Sequence, residues 1–120
     1  MTQTLVSYLA AMVGLLLVDS IWLFTTGPSV LRMTERIQGG PVSFRIGPAV
    51  LVYVALAYLV LQVKTLTQAV LTGMATYAVY DMTNYTLLTN YSPVVAVADT
   101  VWGGVLFGVV WSGLTWCRLV

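Results

Sequence analysis

Apolar residues dominate four stretches of this chain, and short polar breaks separate them. The first runs from Leu5 to Phe24 and stops at Thr25-Thr26-Gly27-Pro28. The second runs from Ile46 to about Val63 and opens on Gly47-Pro48. Proline is tolerated there because first-turn N–H groups have no helical partner to lose. The third covers about 66–88. The fourth covers about 94–116, with Pro93 marking its start. A hydrocarbon core of about 30 Å takes roughly 20 residues at 1.5 Å each. Each stretch therefore predicts a transmembrane helix, and the chain reads as all-α: a single domain over 1–120, an integral membrane bundle of four transmembrane helices.

The connections differ. Residues 25–45 form the one long loop, which carries Arg32, Glu35, Arg36 and Arg45. Within it Val30, Met33 and Ile37 recur at helical spacing, which predicts a short amphipathic helix on the membrane surface. Gly39-Gly40-Pro41 should break that helix. The second connection is tight and holds Lys64. The third, Thr89 to Ser92, is uncharged. Three of the five basic residues flank the first loop, so the positive-inside rule places that loop in the cytoplasm.

Composition sharpens this picture. Hydrophobic residues make up 59% of the chain and charged residues 8%, with a mean hydropathy of +0.91. A soluble domain of 120 residues could not hide so much apolar surface. The net charge of +1 offers no basic field for nucleic acid. There is no His, which removes the commonest metal ligand and the usual general base near neutral pH. Cys117 is the only cysteine, so an intrachain disulfide and a thiolate cluster are excluded; beside Arg118 it reads as a packing or interfacial residue. Met1 to Thr4 carries no basic side chain, and Asp19 interrupts the first apolar run. That run is therefore expected to be a retained helix and not a cleaved signal. No lipidation motif is seen.

Three of the four acidic residues, Asp19, Asp81 and Asp99, lie inside apolar runs. An ionisable group there costs at least ~2.5–3.5 kcal/mol, so it faces a partner, water or the bundle interior. Their depths agree. Asp19 is six residues before Thr25, Asp81 eight before Thr89 and Asp99 five after Val94. At helical rise these are ~9, ~12 and ~7.5 Å from the same side of the membrane, the side of the first loop. Tyr77, Tyr80, Asp81 and Asn84 are spaced i, i+3, i+4, i+7 and share one helix face, which Gly73 extends as a point of close helix approach. Tyr53 lies ~12 Å deep in the second run, and Arg45 stands at that run's mouth.

A local repeat joins two of the acids. Val18-Asp19-Ser20-Ile21-Trp22 matches Ala98-Asp99-Thr100-Val101-Trp102. The spacing puts each Trp on the face of its own Asp, with Trp22 directed toward the interface and Trp102 deeper. Clustered carboxylates without basic partners do not all ionise cheaply, which suits proton binding and release. Carboxylates with Trp and Tyr faces suit an organic cation. Oxygen donors of this kind also suit a hard divalent cation such as Mg²⁺ or Ca²⁺, whereas zinc or a redox metal lacks its usual ligands. No cofactor motif is evident. The bland reading is that each Asp ties helices together through a Trp N–H, a Tyr O–H or Arg45 and holds no ligand. Gly104, Gly108 and Ser112, four apart, form a small-residue stripe for close packing inside the bundle or in a dimer.

The stretch Gly73-Met74-Ala75-Thr76-Tyr77-Ala78-Val79-Tyr80-Asp81-Met82-Thr83-Asn84, followed by Ala98-Asp99-Thr100-Val101-Trp102-Gly103, resembles domain-of-unknown-function family 2177. These are small, mostly bacterial predicted membrane proteins. Val18-Asp19-Ser20-Ile21-Trp22-Leu23 resembles that family's first helix, and the likeness covers most of the chain. The first loop departs from the pattern in lacking a tyrosine-rich stretch. The resemblance implies a four-helix membrane fold in a bacterial inner membrane or its equivalent, and it places family motif residues on the same aspartates.

Three functions fit these residues. The first is an intramembrane site for a proton, a cation or a polar small molecule, in a transporter or channel component. Four helices enclose little volume, so such a protein is expected to be a homo-oligomer. The second is an accessory subunit of a larger membrane complex, with the aspartates bonding helices. The third is a lipid-modifying membrane enzyme, which the lack of His and of a Cys in the polar layer disfavours.

Overall fold

The computed structural model of the protein describes residues 2–120. Its described residues form five helices: α1 (Thr2–Thr25), α2 (Gly27–Gln38), α3 (Ile46–Gln62), α4 (Leu66–Leu87) and α5 (Pro93–Trp116). Four of them match the four apolar runs to within a few residues at each end. The chain is all-α. Two helices, α1 and α5, are long and apolar enough to cross a membrane. Helix α3 is equally apolar but has only 17 residues. Helix α4 has 22 residues but carries Thr72, Thr76, Tyr77, Asp81 and Asn84 among its apolar positions.

Local chemistry sets the helix ends. Thr65 caps α4 by accepting from the Gln68 N–H at 3.1 Å, and the Gln68 side chain accepts in return from the Lys64 N–H at 2.8 Å. This is close to a capping box, shifted by one residue. Ser92 caps α5 by accepting from the Val95 N–H, with Pro93 in the first turn. Gly39 ends α2 in the left-handed region, at φ 76°, donating back to the Glu35 carbonyl. A residue without a Cβ is favoured at that φ.

The burial pattern is inverted relative to a protein in water. On α1, Leu5, Leu9, Leu16, Leu17, Ile21 and Phe24 are exposed, while Ser7 and Asp19 are buried. On α4, Asp81 is completely buried while Leu71, Val79 and Leu87 are exposed. Large apolar side chains outside and carboxyls inside suit an apolar surrounding.

Such a bundle gains little from burying apolar surface against other helices, since lipid is as apolar as Leu; close packing has to supply the association. The tightest contact is between α4 and α5. At its centre Gly73 and Gly103 face each other so closely that a Cβ on Gly73 would strike the Gly103 carbonyl. Gly104 and Gly108 face α4 as well, where a Cβ on Gly104 would lie 2.6 Å from Met74 Cγ. Two members of the small-residue stripe thus pack inside the bundle. The third, Ser112, is exposed: Gly108 already lies against Leu66, the first residue of α4, so Ser112 falls one turn beyond that helix. Helix α1 packs on α3 and α5 around Leu15, Leu56, Val60, Leu106, Phe107 and Val110. Helix α3 meets α4 and α5 only lightly.

Helix α2 does not present its apolar side outward. Met33 is buried against Tyr91 and Ala96, with Val30 and Ile37 beside it. The Ser92 N–H points at the Met33 sulfur, 3.2 Å away. The expected surface helix is therefore folded over the end of the α4–α5 pair, because the apolar residues of the third connection offer it a nearer partner than lipid.

Candidate functional site

The polar layer is built by four helices and one turn. Asp19, on α1, is 6% exposed. Its Oδ1 accepts the indole N–H of Trp102 from α5 at 2.8 Å, and its Oδ2 accepts the phenol O–H of Tyr53 from α3 at 2.5 Å. One carboxylate thus clasps three helices, with both oxygens engaged.

Asp81, on α4, is 0% exposed. Its Oδ1 accepts the O–H of Tyr91, in the α4–α5 turn, at 2.7 Å. Its Oδ2 is buried with no hydrogen-bond partner. Burial, and then the bond to Asp81, push the Tyr91 phenol above its usual pKa, so it remains a donor at neutral pH. Asp99, on α5, is half-buried and faces the Asp81 carboxyl, with Asp19 and the Trp22 indole N–H also near it.

The two Asp-x-x-Trp segments pair crosswise. Trp102 serves Asp19 and Trp22 faces Asp99, so each indole meets the other helix's acid and not its own. The two indoles stack, with centroids 5.2 Å apart and planes 10° from parallel. The divergence of Trp22 and Trp102 expected from sequence is not found. Stacking two flat rings between neighbouring helices brings them to one level.

A cavity of about 280 Å³ brings Asp19, Asp81 and Asp99 together with Trp22, Tyr77, Tyr80 and Tyr91. Val30, Leu31 and Thr34 of α2 and Val42 of the following segment roof it. Tyr77 stands among the three acids and Tyr53. Tyr80 is 64% exposed and only rims the cavity. One hundred degrees of helix separates neighbouring residues, so it cannot be buried on the same line as Asp81. Asn84 sits beside Tyr91 and does not line the cavity. Arg45 is exposed, and no basic residue is among those lining the cavity. Among the described residues no three acidic or thiol groups converge closely enough to hold a metal ion.

Tyr91 and the α2 roof escape sequence reasoning. Tyr91 lies in a turn, outside any helical periodicity, and a Tyr just ahead of Pro93 carries no signal of where its hydroxyl reaches. A larger cavity, of about 730 Å³, lies at the opposite end, beside Ser7, Tyr8, Lys64 and Trp111. Three of its polar side chains are already committed. Tyr8 donates to the Val54 carbonyl at 2.7 Å, Trp111 to the Val63 carbonyl at 3.2 Å, and Ser7 to the Leu119 carbonyl. Those bonds tie helix ends.

The chain was compared with known proteins. No curated protein and no solved structure matches it. The family described as Predicted membrane protein (DUF2177) matches residues 4–116. That span contains all three aspartates, both Asp-x-x-Trp segments and the glycine crossing, and the chain belongs to the DUF2177 family of predicted membrane proteins.

Proposed function

We propose that this is a multi-pass protein whose α1, α3, α4 and α5 all span the membrane, and that the Asp81–Asp99 pair binds a cation within it, as the site of a small transporter or channel component. One observation carries the reading: a fully buried carboxylate oxygen, Asp81 Oδ2, has no partner, and the Asp81 carboxyl lies beside that of Asp99. Leaving a buried acceptor unsatisfied costs about 1–3 kcal/mol, and more for a charged group. A proton shared by the two carboxyls relieves that cost, and so does a cation that replaces the proton. The cavity favours positive charge, since three acids and four aromatic rings line it and no basic residue does. The groups facing the pair are Asp19, Trp22, Tyr77, Tyr80 and Tyr91. Asp19 itself reads as a helix tie, since both its oxygens are engaged. The roofed cavity then opens on the cytoplasmic side, given the basic first loop.

The test is proton release. Adding tetramethylammonium to the purified, lightly buffered protein should liberate protons, read by a pH indicator. Asp81→Asn and Asp99→Asn should each abolish the signal. No release from the unmodified protein, or equal release from both variants, removes the cation site.

A further inference from the structure

Asp99 borders two cavities. Besides the roofed one, it lines a second cavity of about 310 Å³, together with Tyr77, Tyr80, Val52, Leu56 and Thr76. Asp99, Tyr77 and Tyr80 are common to both and form the partition between them. The second cavity lies elsewhere on the bundle. Val52 and Leu56 occupy the middle of α3, and Thr76 the middle of α4. Val52 is 53% exposed, so the mouth opens on the flank of the bundle at mid-height and not at a helix end. The gap exists because α3 meets α4 only lightly, while the Gly73–Gly103 crossing draws α4 toward α5.

The chemistry of this window is uneven. Val52 and Leu56 give it an aliphatic side on α3, Tyr77 and Tyr80 an aromatic side on α4, and its one charged group is Asp99. The Thr76 hydroxyl is already bonded to the Thr72 carbonyl. An anion is repelled there, and a small hydrated cation gains nothing from the aliphatic wall. A positive head group with an apolar tail satisfies both, with the head at Asp99 against the tyrosine rings and the tail between α3 and α4. We infer that the ligand is an amphiphilic organic cation, and that it enters sideways from the lipid through the α3–α4 window. This rests on the cation site proposed above and adds the ligand class and its route.

A homologous series tests it. The unmodified protein in lipid nanodiscs is titrated with alkyltrimethylammonium ions, from tetramethylammonium to the hexyl compound. The Asp81→Asn/Asp99→Asn protein serves as the blank for partition into lipid. A tail seated in the window tightens binding about fourfold per added methylene. Val52→Trp fills the mouth and should flatten that dependence to under twofold per methylene. Val52→Phe is the milder version should the Trp variant fail to fold, and should flatten it partly. Equal steepness in the unmodified protein and in the folded Val52 variants overturns the window while leaving the cation site standing. A failure of the unmodified protein to bind tetramethylammonium above the blank overturns the cation site, and the window with it.

Discussion

Asp19 and Asp81 line the same cavity and are both buried, yet their surroundings differ in kind. Asp19 has a donor for each oxygen, drawn from two other helices. Asp81 has one donor, drawn from the adjoining turn, and its second oxygen has none. A carboxylate that is fully bonded across helices holds a bundle together. A carboxylate left half-bonded beside another acid is maintained against its own stability, and such groups collect where a ligand is handled. The same residue type, at one depth, thus does two jobs, and its donors tell them apart.

Breaking the clasp should have the largest effect. Asp19→Ala leaves the Tyr53 O–H and Trp102 N–H buried without acceptors, at about 2–5 kcal/mol together. Thermal unfolding in detergent should show a large loss of stability. An unchanged midpoint would erase the distinction between the two acids. Next in size, Gly73→Ala forces a methyl group into the Gly103 carbonyl and pries α4 from α5, at about 1–3 kcal/mol. It should separate Asp81 from Asp99 and weaken cation binding while the Asp19 clasp stays intact, which Trp fluorescence would report through the unaltered Trp22–Trp102 stack. Tyr91→Phe falls between Gly73→Ala and Asp81→Asn in stability: it removes a single bond to Asp81, at about 1 kcal/mol, and should make cation binding tighter by leaving more of the carboxylate unsatisfied. Weaker binding would mean that Tyr91 holds Asp81 in position. Asp81→Asn should cost under about 0.5 kcal/mol or stabilise, because the amide keeps an acceptor for Tyr91 and gains a donor toward Asp99. Its unfolding midpoint should hold while proton release disappears.

Much of this is legible in the chain itself. An acid inside an apolar run stands out, and counting helical rise from the run ends places all three at one level; the cavity they share follows. The amphipathic spacing of Val30, Met33 and Ile37 reveals α2, and Gly39 reveals its end. Pairing is not legible. Periodicity assigns Trp22 to the face of Asp19 and Trp102 to that of Asp99, and it is silent on which helix lies opposite. The exchange of partners is a property of two helices meeting, as is the contact of Gly73 with Gly103. Tyr91 is invisible for another reason: its turn has no repeat against which to read it. Two polar-face residues, Tyr80 and Asn84, mark the limit of face arguments, because a stripe four residues long wraps around enough of the helix to reach beyond the site.

The crosswise clasp also sets an order of events during synthesis. The chain emerges from its N-terminus, so α1 reaches the bilayer with the Asp19 carboxyl uncovered. Its first donor, Tyr53, arrives 34 residues later, and its second, Trp102, 83 residues later. Until then the first helix carries a charge penalty of at least ~2.5–3.5 kcal/mol that nothing in the nascent chain removes. Only the last helix closes the set. A chain that stalls before Trp102 keeps Asp19 with one of its two donors.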